Sequence, residues 1–207
     1  MRKYNIAFIG FAILVLFGLP LAAQAQNQTA YGHLIAKTAE AMVGADIQYD
    51  PAYVGLAYPF GDVAQNRGVC ADVVIRAYRA VNVDFQKRVH EDMKTNFSQY
   101  PTRWGLSRPD RNIDHRRVLN LEVYLRRQGA EIAGGRDLSA YQPGDIVAWT
   151  LPGGLPHMGI VSTRKASDGE PLIVHHIGGR PRLDKILFEW DMTGHYRYFV
   201  PEGARDR

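Results

Sequence analysis

One cysteine, Cys70, stands among 207 residues, accompanied by seven histidines. A thiolate attacks a carbonyl carbon when an imidazole takes the thiol proton and later returns it to the leaving amine, so this inventory suits acyl transfer. A lone cysteine closes no intramolecular disulfide, and four-thiolate zinc or iron–sulfur sites lack their ligands. His157 opens the run His157-Met158-Gly159-Ile160-Val161 directly after a loop of glycines and prolines. Its ring is expected to project from a strand end over a helix terminus, with Gly159 leaving room on the same face. Ile173-Val174-His175-His176 reads as the next strand, and side-chain alternation puts either His175 or His176 on the His157 face, where it can orient that imidazole.

The elements that must position these groups follow from the hydrophobic pattern. Tyr31, Leu34, Ile35, Met42 and Val43 fall at helical spacing, with Thr29 placed to cap and Gly44 to terminate. Pro51, Gly55, Pro59, Gly61 and Gly68 break any period between Tyr49 and Val69, which predicts a loop leading to the cysteine. Cys70, Val74, Ala77 and Val81 step by four, three and four along one helical face. The thiol therefore sits at a helix start and faces inward, where unpaired backbone N–H groups favour thiolate; a small buried hydrophobe is the plainer alternative. Phe85, Val89, Met93 and Phe97 predict another helix, Tyr100 to Val118 an arginine-rich loop, and Leu121, Tyr124 and Leu125 a helix closed by Gly129. Strands are expected at Ile146 to Thr150, Met158 to Thr163, Leu172 to His176 and His195 to Val200. Helices followed by antiparallel strands make an α+β domain.

No charged residue appears between Lys3 and Lys37, and Ile6 to Ala23 is almost wholly apolar, ending in Ala23-Gln24-Ala25. That order predicts a secretory leader over residues 1–25, cleaved after Ala25, and a single domain over 26–207 in the periplasm or outside the cell. Without Arg2 and Lys3 the formal charge falls from +4 to +2, which calls for no nucleic acid. Seven arginines lie between Arg103 and Arg127, suited either to internal bracing by carboxylates or to an acidic substrate.

Taken together, the helix-starting cysteine, Pro143-Gly144-Asp145-Ile146-Val147-Ala148-Trp149, His157-Met158-Gly159-Ile160-Val161 and Ile173-Val174-His175 resemble the NlpC-like cysteine peptidases, a papain-like superfamily acting on bacterial cell-wall peptides. The likeness runs from about Tyr58 to Val200. Gly68-Val69-Cys70-Ala71-Asp72-Val73-Val74-Ile75-Arg76-Ala77-Tyr78-Arg79, His90-Glu91-Asp92-Met93 and Asn112-Ile113-Asp114-His115-Arg116-Arg117 more narrowly resemble an exported bacterial branch of unknown function, domain of unknown function 1287. The resemblance implies a papain-like NlpC-type fold in which the nucleophile helix packs on an antiparallel sheet. It further implies Cys70 as nucleophile, His157 as general base and acid, His175 as the orienting third group, and Tyr58 as a helper of the Cys70 N–H in binding the oxyanion. The superfamily places Asp before and Ser-Gly after its nucleophile, whereas Val69 precedes Cys70 and Ala71-Asp72 follow. Asp72 is a candidate for recognising the substrate amine in their place, or else caps the helix. His176 and Trp149 complete the candidate substrate-binding set.

The function expected on this basis is an exported thiol hydrolase, peptidase or amidase, that cleaves an amide bond in peptidoglycan peptides through an acyl-enzyme. It needs no cofactor or metal, and a released chain has no stable membrane insertion; a partner protein stays open. Two other readings use the same residues. One is a non-catalytic envelope module that binds wall fragments in the old cleft. The other is a zinc ion held by Cys70, His157 and His175 or His176.

Overall fold

The computed structural model describes residues 21–133 and 135–206. The expected leader lies mostly outside the described residues, and its last positions open the first helix, α1 (Leu21–Glu40). Thr29 therefore lies inside α1 rather than capping it: its hydroxyl donates to Ala25 O at 3.0 Å, the back-bonding available to a threonine within a helix. Glu40, at the C-terminal end, accepts from the Ser162 and Thr163 hydroxyls at 2.6 and 2.7 Å, which fastens α1 to the sheet. Among the described residues no helix is long and apolar enough to cross a membrane.

The predicted loop before Cys70 contains two short parallel strands, β1 (Gln48–Tyr49) and β2 (Arg67–Gly68). Helices α2 (Cys70–Arg79), α3 (Phe85–Asn96) and α4 (Val118–Arg127) follow. The four-three-four row holds: Cys70, Val74, Ala77 and Val81 are all buried. Asp84 caps α3 by accepting from Gln86 N–H at 3.1 Å. Gly129 closes α4 at φ 67°, a left-handed conformation that favours glycine.

The second half forms the antiparallel sheet β6-β5-β4-β3-β7. Its strands are β3 (Ile146–Thr150), β4 (Pro156–Lys165), β5 (Pro171–His175), β6 (Arg182–Asp184) and β7 (Asp191–Tyr196). The domain is thus α+β, with two differences from the predicted strands. The last strand begins at Asp191 rather than His195, and the three-residue edge strand β6 carries no apolar run that would announce it. Alternation splits the core by face. Ile146, Ala148, Met158, Ile160 and Val174 meet the helices, whereas Val147, Trp149, Val161 and Ile173 join Tyr141, Ile186 and Leu187 on the other side.

Candidate active site

Val69 enters α2 in extended conformation, φ −128° and ψ −177°, so Cys70 is the first helical residue. The residue is only 4% exposed. Burial pushes its thiol up to about 11, against the backbone N–H groups of Met158, Ala71 and Cys70 itself, which favour thiolate. The Met158 amide places the sulfur near the start of β4 on its helix-facing side, whereas the side chain of His157, one residue earlier, lies on the opposite face with Trp149, so the expected projection of its ring over the helix terminus is not what the structure shows.

His157 lies opposite Trp149 on β3, and Gly159 lies opposite His175 on β5. His157 and His175 therefore share a face, and His157 Nε2 stands 3.0 Å from His175 Nδ1. This register resolves the choice between the neighbouring histidines. The line continues, for His175 Nε2 stands 3.0 Å from Asp184 Oδ2 on β6, and Arg182 Nε holds the same oxygen at 2.9 Å. Burial, then His175 and His176, push His157 down to about 3. Burial also lowers His175, with Asp184 pulling the other way. At neutral pH the thiol and both imidazoles are uncharged.

Gly159 makes this line possible. A Cβ there would fall 2.7 Å from Ile173 Cγ2, 2.7 Å from Val174 O and 3.1 Å from His175 Cβ. Gly159→Ala is expected to cost about 1–3 kcal/mol of overpacking and to displace His175, read as a lower urea midpoint and a changed His175 imidazole resonance.

Four expected site residues are placed differently by the structure. Tyr58 sits edge-on to His90 at 5.4 Å, under the Arg111 guanidinium, and its hydroxyl is raised by burial, then by Glu91. His90 and Glu91 lie in the middle of α3 and Arg111 in the segment after it, so Tyr58 packs against α3 and the arginine-rich loop. The tyrosine beside the thiol is Tyr49 at the end of β1, whose hydroxyl is pushed up to about 12 by burial and then by Cys70 and Asp72. Its ring packs edge-on against His176 at 5.1 Å. Asp72 is no free amine receptor: it is 3% exposed, accepts the Val69 N–H at 2.7 Å, and takes Arg116 Nε and Nη2 at 3.0 and 2.9 Å. Trp149 is fully buried, its indole donating to Leu187 O at 3.1 Å. It backs His157 (rings 6.0 Å apart) rather than lining a groove. His176 is buried as well, with Nε2 donating to Gly179 O at 3.0 Å, so it offers no surface to a ligand.

The arginine patch divides. Arg116, Arg117, Arg126 and Arg127 brace Asp72, Asp114, Glu122 and Asp92, while Arg103, Arg108 and Arg111 are exposed. Among the described residues no group of three or more His, Cys, Asp or Glu is placed to hold a metal ion. The facing nitrogens of His157 and His175 serve each other instead.

A family model described as a domain of unknown function (DUF1287) matches residues 36–198. The chain belongs to this family. The chain is also similar to "Uncharacterized protein YijF" of Escherichia coli (strain K12), 52% identical over 181 residues, which are 87% of each chain. Among solved structures, "Structure of NlpC1 from Trichomonas vaginalis" aligns with a TM-score of 0.47 at 13% identity, covering 82% of this chain and 45% of that one.

One property of this DUF1287 chain follows from its buried imidazoles. His115, like His157, is held down to about 3, chiefly by burial and then by Arg79 and Arg116. Both stay neutral in the fold, whereas the unfolded chain gains protons at these positions below about pH 6.5. Their contribution to stability is complete above about 6.5 and is lost as pH falls toward 3. The melting temperature is accordingly expected to fall from pH 7 to pH 4, with a shallower fall in His115→Gln.

Proposed function

We propose that this protein is an exported thiol hydrolase of the NlpC-like, papain-like kind, cleaving an amide bond in bacterial cell-wall peptides. The observation that carries this reading is the placement of the Cys70 thiol at the first turn of α2 and against the amide of Met158, the residue that follows His157, whose Nε2 is bonded to His175. With His157 Nε2 committed to His175, Nδ1 is the nitrogen left to serve as base. His157 takes the thiol proton as Sγ bonds to the carbonyl carbon. The same proton goes to the amine as the C–N bond breaks, and water, deprotonated by His157, then releases the acyl group. The N–H of Cys70, an unpaired donor of the first helical turn, and the Tyr49 hydroxyl are the groups suited to the oxyanion. Since both partners rest neutral, proton transfer accompanies attack instead of preceding it.

Purified peptidoglycan incubated with the protein is expected to release peptide fragments seen by mass spectrometry, and Cys70→Ala to release none. Identical products from both would end the reading. The burial of Cys70 favours a second one, a module that binds wall fragments without cleaving them. Retention of wall fragments by Cys70→Ala and wild type alike, with no turnover by either, supports it.

A further inference from the structure

The bonded line crosses three adjacent strands: His157 on β4, His175 on β5, Asp184 on β6. Two neutral imidazoles in contact have a directional ambiguity, because either can donate to the other. If His175 donated from Nδ1, His157 would receive at Nε2 and carry its own proton on Nδ1. It could then accept no proton at Nδ1. The two arrangements differ only in where protons lie, and the hydrogen bond between the rings does not choose between them.

The carboxylate at the end of the line does choose. Asp184, ion-paired with Arg182, only accepts, so His175 carries its proton on Nε2. His175 Nδ1 is then a lone pair, His157 must donate from Nε2, and the neutral His157 presents its lone pair at Nδ1. We infer that Asp184 is a positioning residue that fixes the tautomer of His157 through His175 and keeps Nδ1 bare, the nitrogen to which the hydrolase reading assigns the Cys70 proton. This rests on the hydrolase reading for its purpose, although the proton positions themselves do not. The sheet builds the relay. Arg182 lies opposite His175 and Asp184 opposite Ile173 in the β5–β6 register, so the carboxylate reaches the histidine diagonally. Arg182 and Asp184 fall on one face, so the guanidinium and the imidazole share the same Asp184 oxygen.

Nitrogen-15 spectra of histidine-labelled protein, correlated to the ring C–H protons, report the tautomer of each imidazole directly. Wild type is expected to show His157 and His175 protonated at Nε2 and bare at Nδ1. In Asp184→Ala, a substitution on a partly exposed edge strand, the two rings should become a mixture of both tautomers, and Asp184→Glu should restore the single form. A His157 proton on Nδ1 in wild type, or unchanged tautomers in Asp184→Ala, would overturn the inference. On a cleavable wall substrate, Asp184→Ala should lower kcat about 10–100-fold with little change in KM, the size of effect seen when an orienting partner is removed; unchanged kcat counts against the inference. Wild type that turns over no substrate while showing the expected tautomers and their loss in Asp184→Ala would end the hydrolase reading alone.

Discussion

His157→Ala should lower kcat on a cleavable wall peptide by about 10⁴-fold or more, nearly as far as Cys70→Ala, and the double variant should fall no further. In the proposed reaction the two groups act as one unit: without the imidazole the buried thiol keeps its proton, and without the thiol the imidazole has nothing to activate. Removal of either member of such a pair accounts for most of the loss, and the effects do not add. The burial that pushes Cys70 up to about 11 makes this dependence severe, since unassisted ionisation is scarce at neutral pH. Single-turnover rates on the same substrate check the prediction. A His157→Ala rate within tenfold of wild type would show that the thiol ionises without that imidazole.

Asp72→Ala is expected to lower the unfolding free energy by about 3–5 kcal/mol, because it strands the Arg116 guanidinium in the interior. Arg116 and Asp72 are both almost fully buried, at 3% and 4% side-chain exposure. Against a typical total of about 5–15 kcal/mol this is a large share. Arg116 also donates to Asp50 O and Ala52 O, each at 3.3 Å, so the pair fastens the segment following Tyr49 to the first turn of α2. Replacing both partners removes the stranded charge, and Asp72→Ala with Arg116→Met should recover most of the loss. Urea denaturation of the two variants separates the outcomes; equal destabilisation of single and double variants would assign the loss to the α2 turn instead of the charge.

What the sequence reveals of this site depends on how locally each signal is written. Cys70 is legible because the break at Gly68-Val69 and the row Cys70, Val74, Ala77, Val81 together specify a helix start and its inward face. The sharing of a face by His157 and His175 is half legible: alternation limits the partner to two neighbours, and only the β4–β5 register chooses. Asp184 is invisible beforehand, lying on a three-residue strand with a charged residue at each end. Tyr58 misleads because distance along a loop says little about where the loop passes in space; the chain leaves β1 and travels to α3 before it returns to β2. Asp72 and Arg116 are 44 residues apart, and nothing near either announces the other. The arginine segment, read as open between bracing and recognition, proves to be mainly bracing for the same reason.

The packing behind His157 also gives the molecule an optical property. Its ring lies 6.0 Å from that of Trp149 and 5.7 Å from that of Trp190, while the third tryptophan, Trp104, lies under the Arg117 guanidinium at 4.2 Å. A protonated imidazole withdraws excited-state electron density from an adjacent indole, and a neutral one does so far less. Two of the three tryptophans thus pack against the imidazole to which the proposed reaction assigns a change of charge. Emission from the unlabelled protein carries a record of that charge.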